Sequence, residues 1–180
     1  ILKYSSSTRR FKVVELSDVK YSIEAPEKET LKNGKWYGAL YYKIITNKYK
    51  GETFYTLLGW DGLNEMTKVK LIDILYFDSK DMPVFGKLVF RGMGKTAQKR
   101  VLFRYSDESV MALNYEKQGY TIKNTKVKTA KVPKKPNNTE AIKADKKVVK
   151  EKRLVVSMIA FNRLMPLRDD LAGMYQFYSP

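Results

Sequence analysis

Catalysis needs nucleophiles, acids, bases or metal ligands within reach of one another, and this chain of 180 residues offers few of them, having no His and no Cys. Imidazole or thiolate metal sites, Ser-His and Cys-His nucleophiles, disulfides and redox motifs are therefore excluded within it. Carboxylate, Lys, Tyr and Ser remain. Two acids at a suitable separation can hydrolyse a glycosidic bond or hold calcium. The candidate pairs are Asp78 with Asp81, Asp107 with Glu108, and Asp169 with Asp170. All three fall in turn-like sequence and none matches a calcium loop, so turn formation is the favoured reading. Asp73 differs, because it interrupts an apolar run between Ile72 and Ile74. It must either face solvent or lie buried beside an Arg or a Tyr.

Gly92-Met93-Gly94-Lys95-Thr96 looks like the end of a phosphate-binding loop, but the full pattern needs a Gly where Val89 stands. The chain then re-enters a strand-like run at 100–105 instead of opening the helix such a loop requires. A hairpin loop is the better reading. Trp60-Asp61 resembles the dipeptide of propeller repeats, yet it occurs once and no repeat surrounds it, so a turn over Gly59 to Gly62 is expected. These observations assign no catalytic residue, no metal and no cofactor.

Charge is the strongest compositional signal. The chain carries 35 Lys plus Arg against 19 Asp plus Glu, a formal charge of +16, which attracts polyanions. The stretch 123–153 holds twelve of the bases, three acids and no aromatic residue, and so contributes +9 of that charge. Such a composition buries too little apolar area to offset its ordering entropy, and the stretch reads as a loop or flexible insertion. Its candidate polyanion-binding residues are Lys126, Lys128, Lys131, Lys134, Lys135, Lys146, Lys147, Lys150, Lys152 and Arg153. Residues 137–152 also have a Lys-rich, helix-forming composition.

The rest of the chain is built of short runs rich in β-branched and aromatic residues, separated by Gly, Asn and Asp, which is the texture of antiparallel sheet. Expected strands cover 11–16, 36–45, 53–58, 69–77, 84–90, 100–105, 110–115, 120–123, 154–161 and the run from 174. The run 36–45 is apolar or amphipathic on both faces, so it should be central. Residues 47–51 read as a longer hairpin loop. In 100–105, Val101, Phe103 and Tyr105 alternate with Arg100 and Arg104, the pattern of a half-solvated strand. The chain has 13 Tyr, 8 Phe and 2 Trp. Trp36, Tyr37, Tyr41, Tyr42, Tyr55 and Trp60 gather along one hairpin, where they serve either as an interaction face or, more in keeping with their spacing, as cross-strand pairs within the fold.

The expected architecture is all-β, an antiparallel meander of about ten strands forming a sandwich or open barrel with a Lys-rich loop insertion. Its parts are an N-terminal strand and polar connection (1–33), a β core (34–123), a basic flexible insertion (124–153) and C-terminal strands completing the core (154–180). No apolar run approaches the roughly 18 to 20 residues of a membrane helix. The chain begins at Ile1 and stops within a strand-like run, so both ends read as trimmed.

The segments Gly34-Lys35-Trp36-Tyr37-Gly38-Ala39-Leu40-Tyr41-Tyr42-Lys43-Ile44-Ile45, Phe54-Tyr55-Thr56-Leu57-Leu58-Gly59-Trp60-Asp61-Gly62 and Lys99-Arg100-Val101-Leu102-Phe103-Arg104-Tyr105-Ser106 are distinctive. Together with Lys70 to Leu75, Pro83 to Gly86 and Gly173 to Tyr178, they resemble an uncharacterised family of exported, β-rich envelope proteins of the Bacteroidota. The resemblance spans most of 34–180 except the basic stretch, which has no counterpart. It implies a cell-envelope, periplasmic or outer-membrane-associated location and a leader peptide outside this chain, and it carries no catalytic residues. Three functions follow as expectations. The first is a non-enzymatic envelope component that docks to other envelope proteins through an aromatic face or an exposed sheet edge. The second is binding of a phosphate-rich glycolipid, acidic glycan or nucleic acid through the basic stretch, and the third is a carbohydrate-active enzyme.

Overall fold

A computed structural model of the chain describes residues 1–5, 8–91, 97–128 and 146–180. The fold is all-β and antiparallel in its main sheets. In chain order the strands are β1 (Leu2–Ser5), β2 (Arg10–Val13), β3 (Ser17–Asp18), β4 (Lys35–Trp36), β5 (Leu40–Tyr49), β6 (Glu52–Asp61), β7 (Thr67–Phe77), β8 (Pro83–Phe85), β9 (Val101–Ser106), β10 (Leu113–Lys128), β11 (Lys146–Phe161), β12 (Met165–Pro166) and β13 (Tyr178–Ser179). Helical structure among the described residues is limited to three-residue 3-10 turns at Lys20–Ser22, Asp169–Leu171 and Tyr175–Phe177.

The centre is a five-stranded sheet in the order β5-β6-β7, with β8 and β9 sharing the far edge of β7 in tandem. β9 pairs with β7 from Thr67 to Ile72, and β8 pairs with it from Leu75 to Phe77. The described strands close no barrel. β7 is apolar enough to be covered on both faces, since Val69, Leu71, Ile72, Asp73 and Ile74 are all buried. On one face Leu57 and Leu71 pack with Leu31, Tyr37, Ala39 and Phe85. On the other, Leu58, Ile72, Ile74, Val84, Val101 and Tyr105 are buried, and the rings of Phe103 and Phe161 meet with centroids 4.7 Å apart. Burial of this kind is worth about 25 cal/mol per Å² and is the main stabilising contribution.

Several expectations are corrected. The run 36–45 is not a central strand: β5 is the edge of the main sheet, and among the described residues only β6 pairs with it. The hairpin that follows turns on two residues, Lys50 and Gly51, with φ of 49° and 83°. That left-handed pair is the type I′ geometry matching the twist of its strands. Gly59 to Asp61 form no turn, because β6 runs through them. The run 84–90 is a strand only as far as Phe85, after which an isolated bridge joins Phe90 to Gln98. The loop motif Gly92 to Thr96 lies outside the described residues. Before the last short strand, 175–177 form a 3-10 turn.

The basic stretch is corrected as well. The runs at 110–115 and 120–123 are replaced by one strand, the 16-residue β10, which pairs with the 16-residue β11 in a two-stranded sheet. Residues 124–128 and 146–153 are thus strand rather than loop or helix. Tyr115–Ile159 form one compact unit and Ile1–Asn114 with Ala160–Pro180 the other.

Candidate functional site

The most concentrated titratable chemistry lies at the junction between β8 and β9. Asp73 occupies the position on β7 where one edge partner gives way to the other, and the connection 86–100 leaves the sheet there. Both Asp73 and Arg100 are wholly inaccessible to solvent. Arg100 Nε donates to Asp73 Oδ2 at 2.7 Å, the Tyr41 hydroxyl donates to the same oxygen at 3.0 Å, and the Ile74 amide donates to Oδ1 at 2.8 Å. Arg100 Nη1 donates to the Pro26 carbonyl at 2.6 Å, while Nη2 has no hydrogen-bond partner among the described residues. The guanidinium carbon sits 5.7 Å from the centre of the Tyr37 ring.

The sequence alternatives for Asp73 resolve into burial beside both an Arg and a Tyr. Arg100 was expected on a wet face; it shares a face with Arg104, but its own end of that face is buried against Asp73. Burial pushes the Asp73 carboxyl above its ordinary value against the pull of Arg100, and it holds the Tyr41 phenol well above 10. No substrate reaches a site closed to solvent. The cluster pins Arg100, at the entry to β9, to β7 and to the Pro26 carbonyl.

A second, partly buried pair joins Lys20 to Asp61 at 2.6 Å, with Asp18 at 3.3 Å. Burial opposes the charge on Lys20, but the two carboxylates outweigh it and raise its pKa. The pair ties the N-terminal segment to the end of β6. Asp78 accepts from the amides of Lys80 and Met82, both at 2.9 Å, the turn role expected of it. Asp107 and Glu108 line a cleft of about 440 Å³ together with Met66, Phe177 and Tyr178. The two acids are neighbours on one turn, whereas glycosidase acids must flank a bond from two sides. No group of three or more metal-ligating side chains occurs among the described residues.

The aromatic cluster divides between the faces of the sheet. Tyr37 is buried, and Trp36, Tyr41 and Tyr55 pack against the same core. Tyr41 stacks on Phe85 at 6.4 Å and 10°. Tyr42 is exposed on its ring, though its hydroxyl donates to the Leu113 carbonyl at 2.9 Å. Trp60 is half-buried on the opposite face, the one that carries Leu58. These six rings do not form one interaction face. Of the candidate cationic residues, Lys126 and Lys128 lie in β10, and Lys146, Lys147, Lys150, Lys152 and Arg153 lie in β11. Lys131, Lys134 and Lys135 fall outside the described residues.

What the sequence pattern did not reveal is the open edge of β5. In a hairpin with a two-residue turn the flanking pair, Tyr49 and Glu52, exchanges hydrogen bonds, and such pairs alternate along the ladder. The register Tyr49↔Glu52, Asn47↔Phe54, Ile45↔Thr56 therefore sends the amides of those β5 residues to β6. The backbone groups of Lys48, Thr46 and Ile44 point away from the sheet. Leu40, Tyr42, Ile44 and Tyr49 are exposed, Ile44 to 63% and Leu40 to 66%. A bulge between Tyr41 and Lys43 ends the regular stretch. At the turn end a cleft of about 560 Å³ opens between Lys48, Tyr49, Lys50, Phe54, Lys87 and Leu88. No family model, curated protein or solved structure matches the chain.

Proposed function

We propose that the protein is a non-enzymatic interaction domain of the cell envelope, and that it holds a partner by adding a strand to the β5 edge. The observation carrying this reading is the open edge itself: ten residues of strand with outward amides and exposed apolar side chains. Natural sheets usually cover, shorten or charge such an edge, because it templates pairing with another chain; Lys43 and Lys48 charge this one only in part and leave Leu40, Tyr42, Ile44 and Tyr49 exposed along it. Main-chain hydrogen bonds then give affinity and alternate side chains give selectivity. The envelope assignment rests on the family resemblance of the segments around β5, β6 and β9. Both halves are open to test. A photo-crosslinking residue at Ile44, introduced in the cells that make the protein, should yield a defined adduct in the envelope fraction, and the same residue at exposed Val13 should not. Equal labelling from both positions, or none from Ile44, refutes edge pairing.

A second reading is favoured by the paired strands β10 and β11. They place seven of the candidate bases on a two-stranded ribbon, each strand about 50 Å long at roughly 3.3 Å per residue. A ribbon of this kind fits a duplex groove or lies along another polyanion. Binding should then weaken with salt, with a log-log slope of about −0.9 per duplex phosphate neutralised. If removing the ribbon leaves that slope unaltered, the reading is wrong.

A further inference from the structure

Edge pairing leaves the identity of the added strand open, and the charges around β5 narrow it. Lys43 and Lys48 lie on the strand, which carries no acid, and Lys50 forms the turn. The cleft beside the turn brings Lys48 and Lys50 together with Lys87, and among the described residues Glu52 is the only acid lining it. Glu52 pairs with Lys87. The Lys87 ammonium also lies 5.4 Å from the Phe54 ring centre and 5.3 Å from that of Tyr76. The apolar part of the edge is supplied by Leu40, Tyr42 and Ile44, at the other end. Three lysines gather at the turn end beside Tyr49, against the single Lys43 among Leu40, Tyr42 and Ile44 at the other, and this asymmetry defines a direction along the strand. A second copy of this chain fits poorly, since it would set +16 against +16 and bring lysines to an edge already lysine-bearing.

We infer that the occupant of the β5 edge is an extended segment of a different polypeptide, apolar where it passes Leu40 to Ile44 and acidic where it reaches Lys48, Lys50 and the cleft with Lys87. This deepens the edge-pairing reading and rests on it. The segment's backbone pairs with the outward groups of Ile44, Thr46 and Lys48, and its carboxylates meet the lysines at the turn. Electrostatic matching of this sort sets the orientation and the rate of capture more than the total affinity.

The test uses fluorescence anisotropy with the whole chain and four labelled ten-residue peptides. One has Val and Ile in its first half and Asp and Glu in its second; the others are its reversed sequence, a version with Asn and Gln for the acids, and a version with Lys for them. One of the two acidic sequences, the forward one if the strand adds parallel to β5 and the reversed one if antiparallel, is expected to bind roughly tenfold or more tightly than the other and than the neutral peptide, to weaken with salt, and to fail with Thr46→Pro. Thr46→Pro removes an outward amide and none of those paired to β6. Lys48→Glu with Lys50→Glu should move the preference to the Lys peptide, and it preserves the test if the proline variant does not fold. Equal affinity for acidic and neutral peptides, both lost in Thr46→Pro, overturns the acidic partner and leaves edge pairing standing. Acidic binding that survives Thr46→Pro and the charge reversal overturns both, as charge held elsewhere on the chain. No binding by any peptide overturns both. A dimer in sedimentation that Thr46→Pro dissociates makes a second copy the occupant and overturns the inference.

Discussion

Taking a carboxylate and a guanidinium out of water costs several kcal/mol per ion, which their attraction offsets only when the remaining donors and acceptors are satisfied. Asp73 meets that condition, with three donors on its two oxygens. Arg100 does so incompletely, since its Nη2 lacks a hydrogen-bond partner among the described residues. Arg100→Met should leave a buried, uncompensated charge and lower the unfolding free energy by about 3 to 5 kcal/mol in urea titrations. Adding Asp73→Asn to that variant should restore most of the loss. A double variant no more stable than the single one would show that the charges do not act as a pair. Alkaline stability belongs to this scale too. Burial raises the phenols of Tyr37, Tyr41, Tyr42 and Tyr105 above their ordinary value near 10. The unfolded chain then loses those protons first, so the stabilising contribution is whole below pH 10 and falls as pH climbs toward the folded values. Urea midpoints should drop as pH rises past about 10, and drop less steeply in Tyr41→Phe.

At the scale of elements, two glycines separate backbone strain from crowding. Gly51 has φ of 83° and open space where a Cβ would stand, while Gly86, at 87°, would set that Cβ 2.7 Å from the Glu29 carbonyl oxygen. Gly51→Ala should cost about 1 to 2 kcal/mol from its left-handed backbone alone. Gly86→Ala should cost more by at least ~1 kcal/mol, because a backbone oxygen must move. Thermal melts of the two variants decide it, and equal costs would mean that the 86–100 connection shifts freely. β6 and β7 were readable from sequence, since their β-branched and aromatic runs are long and uninterrupted. The parity of Arg100 and Arg104 was readable too. Which end of their face is dry was not, because burial there depends on Asp73, 27 residues away in sequence. The edge position of β5 escaped for a related reason: alternation reports which faces are apolar and says nothing about whether another strand lies beyond. The basic strands escaped because charge density masked the Thr and Val they contain.

At the scale of the whole molecule, the charge distribution and the division into two units coincide. The stretch holding more than half of the net charge falls wholly within Tyr115–Ile159, which makes its own compact unit. Within the other unit the Asn162 amide donates to the Ala112 carbonyl at 3.3 Å, and the Ala112 amide donates to Asn162 Oδ1 at 2.6 Å. The chain ends on either side of the ribbon are therefore held together without it. Replacing 115–159 by a short Gly-Ser linker should leave the main sheet folded, with a melting temperature within about 5 °C of the parent. Loss of the near-ultraviolet signal of its buried Tyr and Trp would refute that independence.

The tandem arrangement on β7 also fixes the order in which this sheet yields to solvent. β7 is bonded to β6 along one side and to β9 and then β8 along the other. Its central amides should be the last in the molecule to take up deuterium. Along β5 the uptake should instead stripe, with Ile45 and Asn47 slow and Ile44, Thr46 and Lys48 fast within one regular strand. A bound partner strand would erase those stripes, so the isotope pattern of five consecutive amides records whether the edge is occupied.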